Sequence, residues 1–117
     1  MATTMKVEAD RLEAYFGVFT KHFLRDDSLQ AADVEVLSSE LGDQFVAEGA
    51  HLTGITYDPR TRALEFYFES GDHRVYEPKE VWVEEEEDGF VRAIEVVRPD
   101  GTKEVVRLRR LGLRPLR

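Results

Sequence analysis

The repeat of apolar and polar positions changes period once along this chain. Over residues 8–24 it is helical. Leu12, Phe16, Phe19 and Phe23 recur at i, i+4, i+7 and i+11 and fall on a single stripe, with Tyr15 on its flank. Glu8, Asp10 and Glu13 occupy the first turns and Lys21, His22 and Arg25 the last, so the charges complement the helix dipole at both ends. Gly17 costs up to ~1 kcal/mol relative to alanine and suggests a point of close packing. After the polar stretch 25–30 the period becomes two. Ala32, Val34 and Val36 alternate with Asp33 and Glu35, and residues 45–49 and 52–57 read as further strands. Gly54 inside the latter marks a bend or a close backbone approach. Leu64, Phe66 and Phe68 then face one way, and Glu65, Tyr67 and Glu69 the other.

Turn chemistry separates the later strands. Asp58-Pro59-Arg60-Thr61, Ser70-Gly71-Asp72, Asp88-Gly89 and Arg98-Pro99-Asp100-Gly101 each place proline, glycine or aspartate where a turn uses them. Pro78 donates no hydrogen bond, which makes residues 77–80 an edge or a corner. The pattern predicts one α+β domain over 1–117. It comprises an extended arm at 1–7, an amphipathic helix at 8–24, about six short antiparallel strands within 32–110, and an irregular tail at 111–117. Such a chain hides its edges as a small, strongly bent sheet or as an Sm-like or SH3-like barrel with the helix across one open end. A flatter sheet with the helix on one face is the alternative. In either case the Leu64/Phe66/Phe68 face is the expected partner of the helical stripe.

Composition narrows the function. At 117 residues, 42% hydrophobic and 34% charged, the chain can bury one core beneath a highly charged surface. It has no cysteine, which excludes a disulfide framework, a thiolate metal site and a cysteine nucleophile. No apolar run approaches the ~18 residues of a membrane span, and the N-terminus lacks a signal peptide's order, so a cytoplasmic protein with no membrane partner is expected. The net charge of −8 argues against general nucleic-acid binding. The charge is unevenly placed. Residues 98–117 hold Arg98, Lys103, Arg107, Arg109, Arg110, Arg114 and Arg117 against Asp100 and Glu104, a net +5, which leaves −13 on the other 97 residues. A basic strand lying beside an acidic one accounts for this asymmetry by pairing. A basic strand left open would make an RNA-binding surface, with Tyr57, Tyr67, Tyr76 and Trp82 available for stacking.

A search for chemistry returns little. Ser28, Ser38, Ser39 and Ser70 sit in turn or strand-end contexts without a nucleophile elbow, and no glycine-rich loop precedes the helix. His22, His51 and His73 match no local zinc spacing, and residues 84–88 lack the alternating oxygens of a calcium loop. No catalytic residue, metal site or cofactor is therefore expected. The one local constellation is Asp72-His73-Arg74, in which aspartate can fix the imidazole tautomer and arginine can hold an anion. A candidate interaction surface opposes Glu84, Glu85, Glu86 and Glu87 to Arg107, Arg109 and Arg110.

The motifs Gly54-Ile55-Thr56-Tyr57-Asp58-Pro59, then Asp72-His73-Arg74 with Pro78 four residues on, then Asp100-Gly101-Thr102 resemble those of a small bacterial family known only as a domain of unknown function. The likeness spans nearly the whole chain. One departure is the helix face, where that family tends to show a tryptophan and this chain has Leu12, Tyr15 and Phe16. The resemblance implies a single shared domain fold and brings no activity, substrate or cofactor. The expected function is a non-enzymatic protein-interaction or self-assembly module. An Sm-like RNA binder is the runner-up, and a small-ligand or hydrolytic site around His73 is a third reading.

Overall fold

A computed structural model describes residues 2–25 and 28–113, with the side chains of residues 28, 29, 112 and 113 outside that description. Strand β1 (Thr3–Lys6) leads through a 3-10 turn (Ala9–Arg11) into helix α1 (Leu12–Phe23). Seven further strands follow: β2 (Ser28–Ser38), β3 (Gly42–Asp58), β4 (Ala63–Phe68), β5 (Gly71–Tyr76), β6 (Glu80–Glu85), β7 (Val91–Val97) and β8 (Lys103–Leu113). They form one antiparallel sheet in the order β1-β6-β7-β8-β2-β3-β4-β5.

The sheet does not close into a barrel. Its outermost strands, β1 and β5, do not pair with each other, which corrects the barrel expectation in favour of the bent sheet. The bend is large. Three strands separate β8 from β5, so in a flat sheet they would lie roughly 19 Å apart at the usual strand spacing. Yet the His73 side chain on β5 reaches Glu104 on β8. Register shifts supply the curvature, one at Leu52/Gly54 between β3 and β4 and two between Ala32 and Glu35 of β2 against β3. Gly54 accordingly marks a bend. A Cβ added there would meet Thr20 and Tyr67 at ordinary contact distance.

Several boundaries move. The expected arm at 1–7 contains β1, held by pairing with β6 and by Val7 N–H donating to the Val81 carbonyl at 2.8 Å. Eight strands replace about six, because β1 and a longer β2 were hidden by weak local pattern. Residues 45–49 and 52–57 are one continuous strand, β3. Strand β8 absorbs the first three residues of the expected tail, and residues 114–117 lie outside the described residues, as do Asp26 and Asp27 in the polar stretch after the helix.

Helix α1 buries Leu12, Phe16 and Phe19 and half-buries Phe23. These share one core with Leu64, Phe66 and Phe68 and with the inward faces of β6, β7 and β8. The stripe meets Phe90 directly: the Phe19 and Phe23 rings lie 5.8 and 5.6 Å from it. Thr20 adds a polar tie, its hydroxyl donating to the Ile55 carbonyl at 2.9 Å and accepting from the Ile55 N–H at 3.0 Å. The helix thereby covers the edge of β3 that β2 leaves open beyond His51. Gly17 is exposed, with open space where a side chain would stand, so it is not a close-packing point.

Candidate functional site

The Asp72-His73-Arg74 constellation lies on β5, and strand alternation takes it apart. His73 points inward while Asp72 and Arg74 are exposed on the opposite face. Arg74 pairs with Glu65 across the strand at 3.1 Å and reaches the Tyr76 hydroxyl at 3.4 Å. Asp72 lies opposite Tyr67 in the register. The partner that orients the His73 ring is Glu104, to which Nε2 donates. The same carboxylate accepts from Arg98 Nε at 2.6 Å through its other oxygen.

Glu104 is the one buried charged side chain among the described residues, with 1% of its surface exposed. It occupies the inward phase of β8 with Val106 and Leu108, and His73 packs on the ring of Phe66 with centroids 6.3 Å apart. Burial, the largest single influence, pushes its carboxyl pKa up. The hydrogen bonds and charges of His73 and Arg98 together outweigh burial and leave it below the ordinary value of 4.5. Both oxygens are thus committed to protein groups, and the network acts as a seam that holds β5 over β8. Alternation alone hints at it, because Glu104 is an acid at a position where its strand otherwise turns apolar residues inward.

The charge asymmetry resolves into pairs. Arg107 lies 2.9 Å from Glu35 and Arg109 3.4 Å from Asp33, so the basic strand β8 pairs with its acidic neighbour β2. Arg110 binds Glu86 at 3.1 Å and Asp88 at 2.7 Å while its guanidinium stacks over Phe90 at 4.1 Å. Glu84 binds Arg92 at 2.9 Å, and Glu85 accepts from the Tyr15 hydroxyl. Burial first, then Glu85, raises the Tyr15 pKa far above its usual value. Glu87 is exposed at the hairpin tip. Arg110 thus joins the basic strand to the acidic hairpin, while Arg107 and Arg109 face β2. Arg114 and Arg117, counted in the basic segment, lie outside the described residues.

The stacking aromatics do not form a common platform: Tyr57 is buried, Tyr67 bonds Glu65 at 2.7 Å, and Trp82 donates to Glu80 at 2.9 Å on a distant strand. His51 pairs with Glu69 at 2.7 Å, apart from His73. Among the described residues no three His, Asp or Glu side chains gather as metal ligands. No helix among them is long and apolar enough to cross a membrane.

Sequence reading missed a different feature, the hairpin arm made by the end of β2 and the first half of β3. Leu41, Phe45 and Val46 are more than half exposed there, three of the six large apolar side chains so placed among the described residues. On one side residues 42–51 pair with β2; β4 pairs only from Leu52 onward. Beneath the arm, Val36, Gln44 and Val46 face Arg98, Asp100 and Thr102 across a groove of about 440 Å³.

A family model described as "Family of unknown function (DUF5335)" matches residues 3–115. The chain belongs to this family. An "Uncharacterized protein" of Aquifex aeolicus (strain VF5) is 38% identical over 109 residues, covering 91% of this chain and 92% of that relative. No solved structure matches. The family's domain thus spans nearly the whole of this chain.

Proposed function

We propose that this protein is a non-enzymatic interaction module that acts through protein contacts at its hairpin arm. One observation carries the reading: a run of strand at residues 42–50 combines an uncovered edge with the exposed side chains of Leu41, Phe45 and Val46. By contrast, His73 and the basic residues of the C-terminal segment are held by acids of the same chain. His73 and Arg98 are spent on Glu104, and Arg107, Arg109 and Arg110 on neighbouring acids. Those pairings also weigh against RNA binding through β8, since phosphate contact would have to displace them.

Site-specific photo-crosslinking in cells tests the reading. A benzophenone amino acid placed at Phe45 should give a discrete protein adduct, and the same group at exposed Arg60 should not. Equal labelling at both positions, or none at Phe45, would overturn it. So would nucleic acid that co-purifies with the protein and is stripped by salt, read from the 260/280 absorbance ratio.

A further inference from the structure

The arm has a charge that points to its occupant. Glu40, Asp43 and Glu48 are exposed and have no cation within ion-pair distance among the described residues, whereas Asp33, Glu35, Glu84, Glu86 and Asp88 all do. Two other edges are guarded. β1 is only four residues long, and the hydroxyl of Thr20 satisfies the second edge of β3 at Ile55. The arm instead offers main-chain groups along residues 42–50 with no strand beside them among the described residues. Added strands at such an edge gain affinity from main-chain hydrogen bonds, and selectivity from side chains that alternate between the two faces. Here one face carries Phe45, opposite Glu35 in the register, and the other overlies the groove lined by Val36, Gln44 and Val46.

We propose that the edge of β3 at residues 42–50 binds an extended segment of a partner protein in which apolar residues alternate with lysine or arginine. The proposal rests on the interaction reading above and names the partner's chemistry. A second copy of this chain is the poorer occupant. It would bring three more acids to an arm that already carries three, on a molecule of net charge −8. The two register shifts against β2 further twist the arm away from flat self-pairing.

The test uses the full chain and two labelled, end-capped peptides of alternating valine and lysine or valine and glutamate, with threonine spacers. Fluorescence anisotropy should show the lysine peptide binding roughly tenfold more tightly than the glutamate peptide. Asp43→Lys/Glu48→Lys should abolish or reverse that preference, and Phe45→Ser should weaken both peptides. Amide exchange should slow across residues 43–50 on binding, which a purely ionic contact would not cause. Equal affinity for the two peptides, unchanged binding by the arm variants, or no binding at all overturns the proposal. Self-association by light scattering that Phe45→Ser abolishes, without peptide binding, overturns the basic partner and leaves the interaction reading standing. Absence of both, together with a failed crosslink at Phe45, removes the two together.

Discussion

Glu104 shows how a single residue can hold a fold whose local pattern does not mention it. Its carboxylate is ionised in the core only because His73 and Arg98 each take one oxygen. Removing one partner of a buried charge costs more than the pair contributes, because the remaining charge is left without compensation. Arg98→Met should therefore destabilise the protein by about 3 kcal/mol in urea unfolding, whereas Glu104→Gln should cost only about 1–2 kcal/mol. The pH dependence has a definite sign. The folded-state pKa of Glu104 lies below its ordinary 4.5, so ionised Glu104 stabilises the fold fully above about 4.5. That contribution is lost as pH falls through the folded value. The stability difference between wild type and Glu104→Gln should shrink as pH falls below about 4.5; a difference that grows on acidification would contradict this account. His73 was visible in the sequence, but its partner lies 31 residues away, beyond any local motif. Aspartate beside histidine in a strand is a poor guide, since successive side chains leave by opposite faces.

At the scale of elements, what was legible is what period alone decides. The helical stripe of Leu12, Phe16 and Phe19 and the alternation of β4 both bury as the sequence implied. Strand β1 was not legible, because its four residues become a strand only by pairing with β6. The continuity of β3 through Gly49 was equally hidden, since glycine reads locally as a break while a register shift absorbs it here. Gly49 does so at φ 61°, with its N–H donated to Asp33 at 2.7 Å. The helix retains one local weakness. Gly17 is exposed, helical and surrounded by open space, so alanine there gains helix propensity without a clash. Gly17→Ala should stabilise the protein by about 0.5–1 kcal/mol and raise its melting temperature by a few degrees. A loss of stability would mean that the glycine serves a role in α1 that packing does not reveal.

For the molecule as a whole, the uneven charge of the chain separates into two populations with different consequences. The acids of β2 and of the β6–β7 hairpin offset the arginines of β8 and belong to folding, each exposed pair contributing about 0.2–1 kcal/mol. The acids of the arm have no such partners among the described residues and add to self-repulsion. Neutralising the arm with Glu40→Gln, Asp43→Asn and Glu48→Gln moves the net charge from −8 to −5. Thermal unfolding at low salt should then be unchanged or occur a little higher. Neutralising Asp33, Glu35 and Glu86 instead makes the same change in net charge while unpairing Arg107, Arg109 and one of the two contacts of Arg110. That variant should unfold lower, and added salt should narrow the gap between the two. If both triple variants shift alike, net charge alone governs stability and the arm's acids are no different from the rest. If they diverge as described, the arm's three acids are ones that folding does not use, unlike those that face β8.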